Sequence, residues 1–114
     1  MSWSPTGVAL ATLAPGATRE LMIGPTMLLL ARVGPVVYAV DSACPHVGGL
    51  LADGTLAGRR LSCPVHHAVY DVATGEVLVD PFGIDPPQGN AAPLSCYPTR
   101  LVDGMVEVDL PGTA

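Results

Sequence analysis

The 114-residue chain contains no lysine. Five arginines carry all of its positive charge, against ten carboxylates, for a net charge of −5. The missing lysine is read as a codon bias rather than as chemistry. No run of basic residues occurs, so binding to nucleic acid or to an anionic membrane surface has no electrostatic basis. Cysteine is scarce, at three. A domain of this length buries roughly 65% of the surface its unfolded chain exposes, which supplies a core without disulfide staples. No apolar run is long enough to cross a bilayer, because Arg32 and Gly34-Pro35 break the stretch from Thr26 to Val40. Met1 to Thr12 lacks a basic start and a sustained apolar segment, so no secretory leader is expected. A soluble, cytoplasmic protein is the expectation.

What the chain has in quantity is glycine and proline, 13 and 12, within a sequence that is 49% hydrophobic. That composition suits one domain, residues 1–114, of many short strands joined by tight turns. Strands are expected over Gly7 to Ala11, Thr18 to Ile23, Thr26 to Val33 and Val36 to Val40. Period-two alternation puts Tyr38 and Val40 on one face and Val37 and Ala39 on the other. Further strands are expected near Arg60 to Ser62, Val69 to Val72, Glu76 to Val79, Cys96 to Val102 and Met105 to Leu110. In the last, Val106, Val108 and Leu110 point one way, and Glu107 and Asp109 form a wet face. Asp53-Gly54, Ala73-Thr74-Gly75 and Asp103-Gly104 are turn signals. Asp80 to Pro93 reads as a long Pro- and Gly-rich loop, a length that is often functional. Periodicity alone gives an all-β sandwich or barrel.

Two segments stand apart from this pattern, Cys44-Pro45-His46 and Cys63-Pro64-Val65-His66. Each sets a cysteine and a histidine close together on a proline-stiffened loop, and sixteen residues separate His46 from Cys63. Two thiolates and two imidazoles so spaced can hold an asymmetric [2Fe–2S] cluster, with sulfur ligands on one iron and nitrogen ligands on the other. Cys63-x-x-x-His67 is an alternative register on the residues alone. Mononuclear zinc is a further alternative, since Cys₂His₂ is a standard structural set. Zinc fingers space both pairs by two or more residues, however, and the single residue between Cys44 and His46 favours the larger cluster.

The pattern Cys-x-His … Cys-x-x-His, with a proline after each cysteine and Gly48-Gly49 after the first histidine, resembles the Rieske iron–sulfur family. The resemblance runs from Thr26 to Leu110, and the family spacing selects His66 over His67. It implies a Rieske-like antiparallel β sandwich or barrel. Residues 1–43 and 94–114 would form a basal sheet unit, and 44–93 an inserted cluster-binding subdomain. It also implies that Cys44 and Cys63 bind one iron of a single [2Fe–2S] cluster while His46 and His66 bind the other. Pro45, Val47, Gly48, His67 and part of the Pro81 region would form a docking rim. With neutral imidazoles the oxidised cluster and its ligands sum to zero charge. An electron therefore enters more easily than in an all-cysteine cluster, at about −150 to +300 mV against about −400 mV.

This chain departs from the family at several points. The disulfide that ties the two loops in respiratory Rieske proteins falls at Gly49 and Val65, so it is impossible here. The serine that bonds a cluster sulfur falls at Ala68, while the tyrosine falls at Tyr70. The resemblance then implies a potential in the lower to middle part of the range. His67 replaces a usual glycine. The segment from Gly89 to Pro93, with Leu94 and Tyr97-Pro98, is similar to the family's third, cluster-covering loop but lacks its Gly-Pro start. With two cysteines assigned to iron, Cys96 remains, and it is expected as a buried thiol in a strand.

The function implied is one-electron transfer, from a flavin-dependent reductase to a terminal aromatic-ring or related oxygenase. A small subunit of a larger reductase, of the nitrite reductase type, and a structural zinc module are the alternatives. No Ser-His-Asp arrangement, phosphate loop or dinucleotide fingerprint occurs, and no second set of histidines is left for a mononuclear iron. The chain is therefore expected not to be an enzyme by itself. Its acidity would either steer it toward a basic face on a redox partner or simply aid solubility.

Overall fold

The computed structural model describes residues 3–43, 51–64 and 67–110. Their strands, in chain order, are β1 (Trp3–Ala9), β2 (Thr18–Ile23), β3 (Thr26–Val33), β4 (Val36–Asp41), β5 (Thr55–Ala57), β6 (Arg60–Ser62), β7 (Val69–Asp71), β8 (Val77–Val79), β9 (Cys96–Tyr97), β10 (Thr99–Val102) and β11 (Met105–Asp109). Short 3-10 turns occupy Leu10–Thr12, Leu51–Asp53 and Pro81–Gly83. All pairings are antiparallel, in three sheets ordered β1-β11-β10, β2-β3-β4-β9 and β5-β6-β7-β8. No helix among the described residues is long and apolar enough to cross a membrane.

The middle sheet is buried on both faces. Leu28, Leu30, Val37 and Ala39 face one core, with Val8, Val106 and Val108 from the first sheet and Leu110 just after it. Leu29, Ala31 and Val40 face the other, with Leu61 and Tyr70 from the third sheet and Val72 just past β7. The alternation expected along β4 therefore holds, but it divides two cores rather than core from water. Double-sided burial explains why Met27 to Val33 reads as an unbroken apolar run apart from Arg32. Each leucine withdrawn from water here contributes about 1.5–3 kcal/mol.

The differences from expectation have local causes. The first strand begins at Trp3 because Trp3, Ser4 and Pro5 pair with the last strand, and its register shifts between Pro5 and Ala9. A proline is tolerated there because β1 is an edge strand. The expected strand from Cys96 to Val102 is two strands in two sheets. Tyr97 pairs with Ala39 in the middle sheet, whereas Thr99 pairs with Val108 in the first. Pro98, which has no N–H to give a ladder, marks the crossing. β5 is too short to show a period, and only its hairpin with β6, turned through Gly58 (φ +60), reveals it. The wet face expected of β11 is partly covered. Glu107 pairs with Arg100 at 2.8 Å, and Asp109 is buried at 7% exposure.

Candidate metal centre

The register of the third sheet brings the return of the first loop, both flanks of the second cysteine–histidine segment and the start of the long loop to one edge. Thr55 pairs with Ser62, Ser62 with Val69, and Val69 with Val79. Chain therefore leaves or enters that one edge at 54, 63, 68 and 80. The second segment departs from β6 at Cys63 and returns to β7 through Ala68. Cys63 N–H donates to the Ala68 carbonyl at 2.8 Å, closing the turn at its base. Cys63 has zero exposure and sits in the core with Leu51, Leu61, Ala68 and Tyr70. His67 is exposed, and its backbone is left-handed at φ +60. A left-handed position explains why glycine is usual there; histidine is among the side chains that enter this region more readily than most.

The first segment leaves from β4. Asp41 N–H donates to Ser95 O at 3.0 Å, and Ser42 N–H to Met27 O at 3.2 Å. Leu51 N–H then donates back to Ser42 O at 2.9 Å, so the loop that departs after Ala43 is pinned where it returns. Side chains lock the same base. Ser42, fully buried, donates to Glu20, and the Tyr97 hydroxyl donates to Asp41 Oδ1 at 2.6 Å. Burial, aided by the Asp41 hydrogen bond and charge, pushes the Tyr97 pKa up to about 12.

Between the two segments lies a contact of backbone on backbone. A Cβ on Gly54 would stand 1.9 Å from the Ser62 carbonyl oxygen. The turn that ends the first loop is thus pressed against the residue immediately before Cys63. A third segment is held at the opposite end of the sheet, where Leu94 N–H donates to Gly75 O at 2.9 Å.

The long loop after β8 is organised by one carboxylate. Asp80 has zero exposure, and its Oδ2 accepts from Gln88 N–H, from Asn90 N–H at 3.2 Å and from Asn90 Nδ2 at 3.2 Å. Asp80 N–H donates to Ile84 O at 2.9 Å, folding Pro81 to Gly83 back on itself. This loop begins at the same edge as Cys63.

Of the four expected ligands, Cys63 is described, and Cys44, His46 and His66 lie outside the described residues, as do Pro45, Val47, Gly48, Gly49 and Val65. Cys63 alone supplies the test of fit. A buried cysteine on a closed turn, walled by aliphatic and aromatic groups, suits a thiolate that must bind metal away from water. Cys96 lies in β9 as expected, half-buried, with its thiol toward the Val72 carbonyl at 3.8 Å. Burial, then the Asp71 and Asp41 charges, push its thiol pKa up, which disfavours a reactive thiolate. The structural roles of Gly54 and Asp80 escape sequence reading. Asp53-Gly54 signals a turn but not what that turn touches, and the Asp80 partners are mostly backbone amides.

Comparison with known proteins points the same way. A profile of the Rieske [2Fe-2S] domain matches residues 6–98. The ferredoxin component of a naphthalene 1,2-dioxygenase system from Pseudomonas putida is 30% identical over 103 residues, 90% of this chain and 91% of that protein. Among solved structures, the Sphingomonas yanoikuyae B1 ferredoxin superposes with a TM-score of 0.77 at 28% identity, covering 90% of this chain and 94% of that one. A chain in a complex of reduced oxygenase and oxidized ferredoxin in carbazole 1,9a-dioxygenase superposes with a TM-score of 0.78 at 28% identity, covering 93% and 91%.

Proposed function

Since the chain belongs to the Rieske [2Fe-2S] domain family, we propose that it is a one-electron carrier that serves a terminal aromatic-ring or related oxygenase. The observation that carries this reading is the extent of the likeness, which runs over nearly the whole length of a dioxygenase-system ferredoxin. The chain carries electrons and is not itself the catalyst. A flavin-dependent reductase supplies the electron, and the carrier works in solution in the cytoplasm. Residues 1–43 and 94–114 serve as the base, and 44–93 as the cluster-bearing lobe.

Cys44 and Cys63 hold one iron, and His46 and His66 hold the other. When bound, a cluster of this type takes up and gives back single electrons within about −150 to +300 mV. The protein's part is to place and insulate it. Cys63 enters from the core side, where Leu51, Leu61 and Ala68 exclude water. The Asp80-clamped loop closes the same edge of the sheet. Ala68 offers no hydroxyl. Tyr70, fully buried in β7, is the residue whose hydroxyl the family pattern assigns to a cluster sulfur.

Tyr70→Phe should therefore lower the reduction potential while leaving the fold intact. Protein-film voltammetry reads this directly, and an unchanged potential removes the hydrogen bond from the account. The functional reading itself is tested by reconstitution. Holoprotein mixed with a flavin reductase, NADH and a terminal oxygenase should pass electrons to the oxygenase, and should show a paramagnetic signal when reduced. A colourless protein with stoichiometric zinc, or a reducible protein that never reduces an oxygenase, defeats the reading.

A further inference from the structure

One buried charge stands outside the ligand set. Asp80 has zero exposure, and its Oδ2 accepts from the main-chain N–H groups of Gln88 and Asn90 and from Asn90 Nδ2. Its other oxygen, Oδ1, is equally shut off from water and has no hydrogen-bond partner among the described residues. Among those residues the ion pairs are Arg59 with Asp71 and Arg100 with Glu107, and neither involves Asp80. A clamp for these N–H groups needs one acceptor oxygen, which a neutral amide would supply. The charge and the second oxygen are surplus to it. A buried polar atom without a partner is costly and calls for an explanation, a redox role among them.

The position of Asp80 supplies one. Ser62 pairs with Val69, and Val69 with Val79. β6 and β8 therefore run the same way, and Cys63 and Asp80 are the residues that follow them at one edge. Ser62, Val69 and Val79 share a face, so alternation returns Asp80 to the opposite one, where Leu61 and Cys63 are buried. Two strand spacings, about 10 Å, separate the two exits. Between them the chain passes through Ala68, which is fully buried and brings no polar side chain.

We propose that Asp80 sets the reduction potential: its buried negative charge repels the incoming electron and holds the potential down. The inference rests on the reading of the chain as a [2Fe–2S] electron carrier and adds to it a residue that the ligand motifs do not include. In the step concerned one electron enters, and no bond forms or breaks at Asp80. Donors converging on one oxygen suit an ionised carboxylate. A proton on Oδ1 would itself be a donor with no acceptor among the described residues. At about 10 Å, with the effective dielectric constant of about 20 that suits buried sites, one unit charge shifts a one-electron equilibrium about tenfold. Asp80 and Tyr70 then act in opposite directions. A hydroxyl bonded to sulfur withdraws charge and raises the potential, and the carboxylate opposes it.

The test is protein-film voltammetry on the holoprotein, with no oxygenase present. Asp80→Asn keeps an oxygen for Gln88 and Asn90 and removes the charge. It should raise the potential, so that the ratio of reduced to oxidised protein at a fixed applied potential rises about tenfold, which for one electron is about 59 mV. Asp80→Ser, neutral and smaller, should move the potential the same way, and it serves where the asparagine variant does not fold. Asp80→Glu keeps the charge and displaces it, so the ratio should stay within about twofold of wild type although the loop is disturbed. Glu76→Gln makes the same change in net charge at an exposed turn and should also stay within about twofold, because solvent and salt screen it. The Asp80→Asn difference should persist at high salt, since a buried charge is screened far less. A wild-type potential in the neutral variants, or a rise in Asp80→Glu as large as theirs, overturns the assignment. A wild-type protein with a reversible one-electron couple that never reduces an oxygenase overturns the functional reading, and the voltammetry still decides Asp80.

Discussion

Cys63→Ser should yield a protein that folds and does not hold an intact cluster. The exchange is nearly isosteric, and the turn at this position is closed by main chain, through Cys63 N–H to Ala68 O. The β5–β8 sheet and its core of Leu61, Tyr70 and Val72 do not depend on the sulfur. Its chemistry does not survive, because a serine hydroxyl is a far weaker acid than a thiol and a poor soft-donor replacement for a thiolate. Zero exposure also leaves no room for an outside thiol to substitute. The expected result is a strand-rich circular dichroism spectrum with the visible absorption and the reduced-state paramagnetic signal abolished or crippled. A wild-type visible spectrum from this variant would remove Cys63 from the ligand set.

Gly54→Ala is expected to do comparable damage from outside the ligand set. Its Cβ would lie 1.9 Å from the Ser62 carbonyl oxygen, 3.1 Å from the Ser62 carbonyl carbon and 3.2 Å from Leu51 O. All three are backbone atoms, so no side chain can rotate aside. Either the turn at Leu51–Asp53 lifts or the end of β6 retreats. Each movement separates the returning first loop from the residue that delivers Cys63. Overpacking of this kind costs about 1–3 kcal/mol in ordinary cores and more where backbone must move. The denaturant midpoint should fall, and iron per chain should drop well below that of wild type. Gly49 and Val65 cannot form a disulfide between the loops, and among the described residues this contact sets one loop against the other. Full iron content and an unchanged midpoint would show that the turn is free to move and that the loops are registered by other means.

These two expectations differ in how far ahead of the structure they were visible. The exchange at Cys63 was foreseeable because the chemistry of a ligand motif is local. A thiol and an imidazole separated by one or two residues on a proline-stiffened loop stay close in any fold. The β-rich class was visible for a similar reason, since alternation and turn residues act over neighbouring positions. Tyr70 could be named as a candidate hydroxyl from its distance past Cys63 and the family pattern.

Other features needed partners far along the chain. Leu28 to Ala31 look the same in sequence whether one face or both are covered, and only the packing of two further sheets decides it. Pro98 marks a break, but that the strand changes sheets there depends on where Ala39 and Val108 lie. Asp80 is one acidic residue in a loop rich in proline and glycine. Its role as a clamp exists because the amides of Gln88 and Asn90 come back to it. The sequence by itself determined the all-β class and the family and put forward the donor set, because those depend on residue type at short spacing. The tertiary structure alone decided that Gly54 bears on Ser62 and that Asp80 is buried. Those facts are distances between residues that strand register brings together, and register is settled by the packing of the whole molecule.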